Sequence, residues 1–424
     1  MSGFRLVFLS LLPVLLVALP ADALELCVKV DKNGAPKDGA PIRLRAACKQ
    51  KKSGDPIEVS IGTTTQLSLG AALEKYLSVD TTDNIVRFEG ANVQIRSGQG
   101  SSEGEGDRYA PTVNGLGNLI IGYDEPDEHY PDKTGSHNLV IGPYHSYTSA
   151  GALLAGVGNV ASGPWVALAG GEDNEAHEFA SAVVGGVYND AMEEVSVVVG
   201  GWRNEASGTG AVVVSGEENV ASGEQSVAGG GKGNVAEGPG AVATGGRDNR
   251  VTGIWSAVSG GYRNTAGGRY SSISGGSDNE TSADSSSVSG GRYNKALANA
   301  ASVSGGDFNS ATGEVSWVGS GDGNTASATK SSVSGGSNNQ ADAMWATVGG
   351  GRNNVASGHY SVVSGGWGNQ AIGRDSAVSG GEDGVATGIV SSISGGSINR
   401  AEGRASTVSG GSGNTATGDN DHLP

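Results

Sequence analysis

Apolar positions change their spacing several times along the chain, and each spacing predicts a different element. From Leu6 to Leu19 they are nearly continuous; with Arg5 ahead and the small residues Ala21 and Ala23 behind, the run reads as a secretory signal over residues 1–23. It is too short for a comfortable membrane span. No later segment is apolar enough to make one, so the exported chain is expected to carry no transmembrane anchor of its own. Leu67, Leu69, Leu73 and Leu77 fall at helical spacing and predict one short helix. Ile85–Phe88 and Val93–Arg96 predict two strands, and the Gly-, Ser- and Glu-rich stretch Ser97–Asp107 predicts a flexible linker.

Beyond the linker the pattern repeats. Asn118-Leu119-Ile120-Ile121-Gly122 returns as Asn138-Leu139-Val140-Ile141-Gly142, with a polar excursion, Tyr123 to Gly135, between them. From residue 151 the repeat locks to a period of 15. One column shows it directly: Asn159, Asn174, Asn189, Asn204, Asn219, Asn234, Asn249, Asn264, Asn279, Asn294, Asn309, Asn324, Asn339, Asn354 and Asn369, then Gly384, Asn399 and Asn414. Eighteen copies fill residues 151–420 without insertion.

With Ser256 as position 1, the consensus is Ser-x-Val-Ser-Gly-Gly-x-x-Asn-x-Ala-x-Gly-x-x. Apolar and polar residues alternate in both halves, so each copy predicts two short strands with odd positions facing inward. Burying one Val yields about 1.5–3 kcal/mol, while ordering backbone costs roughly 1–2 kcal/mol per residue. A single coil therefore cannot fold alone. Stacked copies can, because every strand pairs with its equivalents and the Val, Ala and Asn columns come into register. The Asn column predicts a ladder of side-chain amides. At about 4.8 Å per coil, the array is expected to make a thin all-β solenoid roughly 85 Å long.

Composition agrees with a thin coil. Gly accounts for 74 of 424 residues, 36% are hydrophobic and 5% aromatic, which leaves little material for conventional globular cores. Too few prolines and no strict Gly-x-y period exclude collagen. The net charge of −17 argues against nucleic acid as a partner. Residues 24–60 are locally basic and hold both cysteines, Cys27 and Cys48, for which a disulfide is expected in an exported chain, a two-thiolate metal site being the alternative. Cys27-Val28, Gly34, Ile42-Arg43, Cys48-Lys49 and Ile57-Glu58-Val59 resemble a short β module of extracellular bacterial proteins.

The phrases Ala257-Val258-Ser259-Gly260-Gly261-Tyr262-Arg263-Asn264-Thr265-Ala266-Gly267-Gly268 and Val362-Val363-Ser364-Gly365-Gly366-Trp367-Gly368-Asn369-Gln370-Ala371-Ile372-Gly373 resemble the head repeats of trimeric autotransporter adhesins of the YadA type. That resemblance implies a left-handed parallel β-roll, a homotrimer and a role in attachment at a bacterial cell surface. The chain departs from it by a period one residue longer, by Ser-Gly-Gly in place of Ile-Gly, and by lacking a heptad stalk and a C-terminal membrane barrel. The expected organisation is a signal (1–23), a disulfide-containing module (24–60), a helix, two strands and a linker (61–110), irregular first coils (111–150), the repeats (151–420) and a tail (421–424).

Candidate binding chemistry lies in the turns. Position 15 carries Trp165, Trp255, Tyr270, Trp345 and Tyr360, while positions 7 and 8 carry Tyr188, Trp202, Tyr262, Tyr293, Phe308 and Trp367. These aromatics are expected either to pack between protomers or to bind glycan or matrix. Acidic residues, among them Glu172-Asp173, Glu217-Glu218 and Glu382-Asp383, predict a solvated edge, since calcium would need more oxygens per site. In the excursion His129 lies among Asp124, Glu125, Asp127, Glu128 and Asp132, which reads as a surface loop. No nucleophile elbow, phosphate loop, dinucleotide fingerprint or zinc motif is present, so neither enzymatic activity nor a cofactor is expected. A rival reading is an ice- or crystal-binding face built from Ser272, Ser274, Ser287, Ser289, Ser302 and Ser304.

Overall fold

The computed structural model describes residues 76–129 and 131–424, together with the backbone of three N-terminal strands. These are β1 (Glu25–Lys29), β2 (Arg43–Arg45) and β3 (Glu58–Thr63), with β1 central and antiparallel to both neighbours. The expected signal segment, the expected Cys27–Cys48 bridge and the helix expected from Leu67 fall outside the described residues, except that Leu77 begins a strand. That strand, β4 (Leu77–Asp80), forms an antiparallel hairpin with β5 (Ile85–Phe88). Val93–Arg96, expected as a strand, is not one. The pairing partner of Ile85–Phe88 precedes it instead, across a turn in which Asp80 Oδ1 accepts the N–H groups of Thr82 and Asp83. Among the described residues there is no helix.

The chain divides into two compact units, residues 1–94 and 95–424. The second is a parallel β-solenoid. Its first strands are β6 (Leu119–Ile121), β7 (Leu139–Ile141), β8 (Ser146–Tyr147) and β9 (Leu153–Ala155). From Val160 onward two dipeptide strands alternate in every coil, one at positions 2–3 and one at positions 10–11. Each pairs in parallel with its equivalents fifteen residues away, as Ala257–Val258 does with Ser272–Ile273 and Thr265–Ala266 with Glu280–Thr281. Position 7 adds a third ladder of single-residue parallel bridges, running from Val157 to Ser412. Residues 421–424, expected as a tail, supply a further strand, His422–Leu423, paired with Thr407–Val408.

Positions 1, 3, 9, 11 and 13 face inward, and the expected alternation fails only in the turns. Position 3 is a fully buried Val, Leu or Ile in most coils and position 11 a fully buried Ala. In two successive coils position 3 shrinks to Ala228 and Ala243. There the buried apolar side chains part into two clusters, one from Val140 to Ala228 and one from Ala236 to Ala416.

The turns have one conformation throughout. Positions 6, 8 and 15 all adopt positive φ. Position 6 is always Gly, and for good reason: a Cβ on Gly261 would lie 2.1 Å from the Gly276 carbonyl oxygen. Positions 8 and 15 accept almost any side chain, among them Tyr293 (φ 56°), Trp345 (63°) and even the β-branched Val390 (60°), for which this region is sterically unfavourable. Position 5, also a frequent Gly, is open: a Cβ on Gly260 would meet nothing within 4 Å.

Ser97–Asp107, expected as a flexible linker, is hydrogen-bonded to the solenoid. The Ser97 N–H donates to His137 Nε2 (3.1 Å), Asn114 Nδ2 donates to the Ser97 carbonyl (3.0 Å), and Glu103 O accepts the Thr112 N–H (3.0 Å). Its abundance of small polar residues supports tight turns as readily as mobility.

Candidate functional site

The Asn column is a continuous hydrogen-bonded ladder. The Asn264 backbone N–H donates to Asn249 Oδ1 (3.0 Å), and its Nδ2 donates to Gly260 O in the same coil and Gly276 O in the next (3.0 Å each). The same links recur from Asn174 to Asn369, and these side chains are almost wholly buried. Each amide thereby satisfies groups that a turn would otherwise leave unpaired in the interior. At Gly384 the ladder lapses: its N–H still donates to Asn369 Oδ1 (2.9 Å), but it offers no oxygen to Asn399. At the other end, His145 stands where the first Asn would be, with Nδ1 accepting the Asn159 N–H (3.2 Å) and Nε2 against Ile141 O (3.0 Å). Its coil is one residue shorter, so it escaped the period-15 column. Burial depresses the His145 pKa below that of an ordinary imidazole.

The predicted aromatics lie in the exposed turns, in small groups rather than one row. Trp345 and Tyr360 occupy position 15 of consecutive coils, stacked with ring centroids 6.3 Å apart and planes 8° from parallel, and the Lys330 ammonium lies 4.4 Å from the indole. Tyr293 and Phe308 stack at 4.9 Å. Trp202 carries the Arg203 guanidinium at 4.3 Å, Arg263 approaches Tyr262 at 5.4 Å, and Arg269 approaches Tyr270 at 4.8 Å. Trp255 and Trp367 are exposed. Trp165 differs, because its Nε1 donates to the Arg108 carbonyl (2.7 Å) and anchors the preceding segment. Tyr109 against Phe179 (4.6 Å) does the same one coil further on.

The acidic turns are laced by ion pairs between neighbouring coils: Arg263 with Asp278 (3.1 Å), Arg292 with Asp307 (3.0 Å) and Lys232 with Glu217 (2.6 Å). Exposed pairs of this kind contribute little to stability. The excursion is a structured loop. Asp124 receives Lys133 Nζ on Oδ1 (2.7 Å) and the Tyr147 hydroxyl on Oδ2 (3.0 Å), and burial together with Asp124 raises the Tyr147 pKa. The loop brings Asp127 and His129 beside Asp173, Glu175 and Tyr188 of the first coils, around a pocket of about 290 Å³. Next to it, His177 Nε2 lies 3.0 Å from Glu175 Oε2 and 3.1 Å from Asp190 Oδ1. Those carboxylates, Asp190 first, raise the His177 pKa to about 10. Sequence reading missed this group because its members lie in two coils, and because the acidic signal was sought in the turns rather than on the strand face.

No protein-family model matches the chain, and no curated protein matches it.

Proposed function

We propose that the chain is an exported, non-enzymatic attachment protein: a left-handed β-roll, homotrimeric like the adhesin heads it resembles, that presents a repetitive surface to matrix or glycan. The observation that carries this reading is the display of aromatic rings at solvent-exposed turns of a rigid scaffold. Trp345 and Tyr360 are 44% and 49% exposed, stacked, and flanked by a cation. Such flat apolar faces with adjacent polar groups suit sugar rings. Contacts that are weak singly gain avidity when coils and chains repeat them.

The ice-binding alternative needs a flat face of Ser at positions 2 and 4, with an unbroken row at position 2. Trp317 stands in that row, 40% exposed, and interrupts it, which favours attachment. Binding of the full chain to immobilised glycans and matrix proteins tests the proposal, alongside light scattering for the trimer. Retention that falls at least tenfold in a Trp345→Ala/Tyr360→Ala double variant supports it. Absence of retention together with thermal hysteresis would overturn it in favour of the ice-binding reading.

A further inference from the structure

Three carboxylates stand in register on the position-10 column: Glu175 pairs with Asp190, and Asp190 with Glu205, in consecutive coils. Like charges directly opposite one another in a sheet repel. Elsewhere on this column the chain answers a carboxylate with a base, as Lys295 does Glu280 at 3.2 Å. Here, among the described residues, Glu175 and Asp190 have no Lys or Arg partner and meet only His177.

The geometry at His177 is that of a shared centre. Its Nε2 has one carboxylate oxygen from its own coil at 3.0 Å and one from the next at 3.1 Å. Asp190 Oδ1 is buried and makes no hydrogen bond of good geometry, despite this proximity. On the far side of the ring, Ser162 Oγ lies 3.1 Å from Nδ1, a contact that orients the imidazole and allows Nδ1 to keep the proton. Release of the Nε2 proton, which a bound cation would drive, would leave a lone pair pointing into a space bordered by two anionic oxygens. Bonds of about 2.1 Å from one cation to nitrogen and oxygen place adjacent ligand atoms about 3.0 Å apart at octahedral angles and about 3.4 Å apart at tetrahedral ones, so the 3.0 and 3.1 Å spacings found need only a small opening to admit the ion.

We propose that Glu175, His177 and Asp190 form a binding site for a divalent transition-metal ion of the zinc type. One imidazole and two carboxylates match the borderline donor preference of that class better than the all-oxygen shell of calcium. Three protein ligands leave coordination positions open. The metal would clamp two consecutive coils together beneath the excursion loop.

Titration of the full chain with Zn²⁺, followed by calorimetry, tests the site. The expected result is one high-affinity ion per chain, with affinity at least tenfold weaker in His177→Ala and in Asp190→Asn, and unchanged in His359→Ala, which lies in a distant coil. Ring ¹⁵N spectra of the unmodified protein provide a check independent of folding defects in the variants: Zn²⁺ should shift His177 Nε2 strongly and Nδ1 little. Failure to bind Zn²⁺, binding equally strong in both site variants, or an unperturbed His177 ring overturns the proposal.

Discussion

His145 Nδ1 accepts the backbone N–H of Asn159, the position that an asparagine Oδ1 fills in the coils that follow. The ring can do so only when neutral, and burial holds it neutral. An ordinary imidazole titrates near pH 6.5, so above that value folded and unfolded chains are both unprotonated here and the contribution to stability is complete. As pH falls below about 6.5, the unfolded chain takes up a proton that the fold resists, and stability declines until the folded ring titrates. The protection of the Asn159 amide against hydrogen exchange, taken relative to the intrinsic rate at each pH, should fall from pH 7 to pH 5, and His145→Asn should flatten that dependence.

Gly384→Asn should stabilise the solenoid by about 1 kcal/mol, the net worth of a restored buried hydrogen bond. The backbone there has no positive φ, and an added Cβ would approach Asn369 Oδ1 at 3.0 Å and otherwise make ordinary contacts. Asn264→Ala is the converse. It strands the Gly260 carbonyl and the Asn279 N–H, leaving Gly276 O with the Tyr262 N–H alone, and at about 1–3 kcal/mol per unsatisfied buried group it should lower the denaturation midpoint clearly.

Val390→Gly should be neutral or stabilising, although it removes a side chain, because the valine sits at φ 60°. Gly261→Ala should instead be strongly destabilising, since the new methyl would collide with the Gly276 carbonyl. Thermal melts of the two variants should move apart, and melts that move together would contradict the turn geometry.

Lys133→Met leaves Asp124 with only Tyr147 and removes the amine that also bonds the carbonyls of Asp124 and Glu125. Limited proteolysis should then cut within residues 124–132 faster than in the parent chain, with the later coils intact.

The sequence showed most clearly what repetition amplifies. Eighteen copies made the Val, Ala and Asn columns visible, and the fold built on them follows. The third ladder was not legible, because position 7 makes its backbone bridge whatever its side chain and admits Trp202, Lys232, Asp307 or Ser337 equally. The left-handed turns at positions 8 and 15 were hidden for a related reason. Stacking fixes their φ, so the chain never had to signal it with Gly. His145 and the Glu175–His177–Asp190 group arise where coils are irregular or where two copies meet, and a repeat consensus averages such places away.

The paired alanines Ala228 and Ala243 give the solenoid a mechanical fault line. Pulled from its two ends, a stack of coils yields where neighbours grip least, and there the Asn ladder and backbone pairing carry the load with little apolar adhesion. Each coil that peels away replaces about 4.8 Å of stacked height with roughly 50 Å of extended chain. Under tension the roll would lengthen coil by coil from its middle, dissipating force in small equal steps instead of rupturing at once.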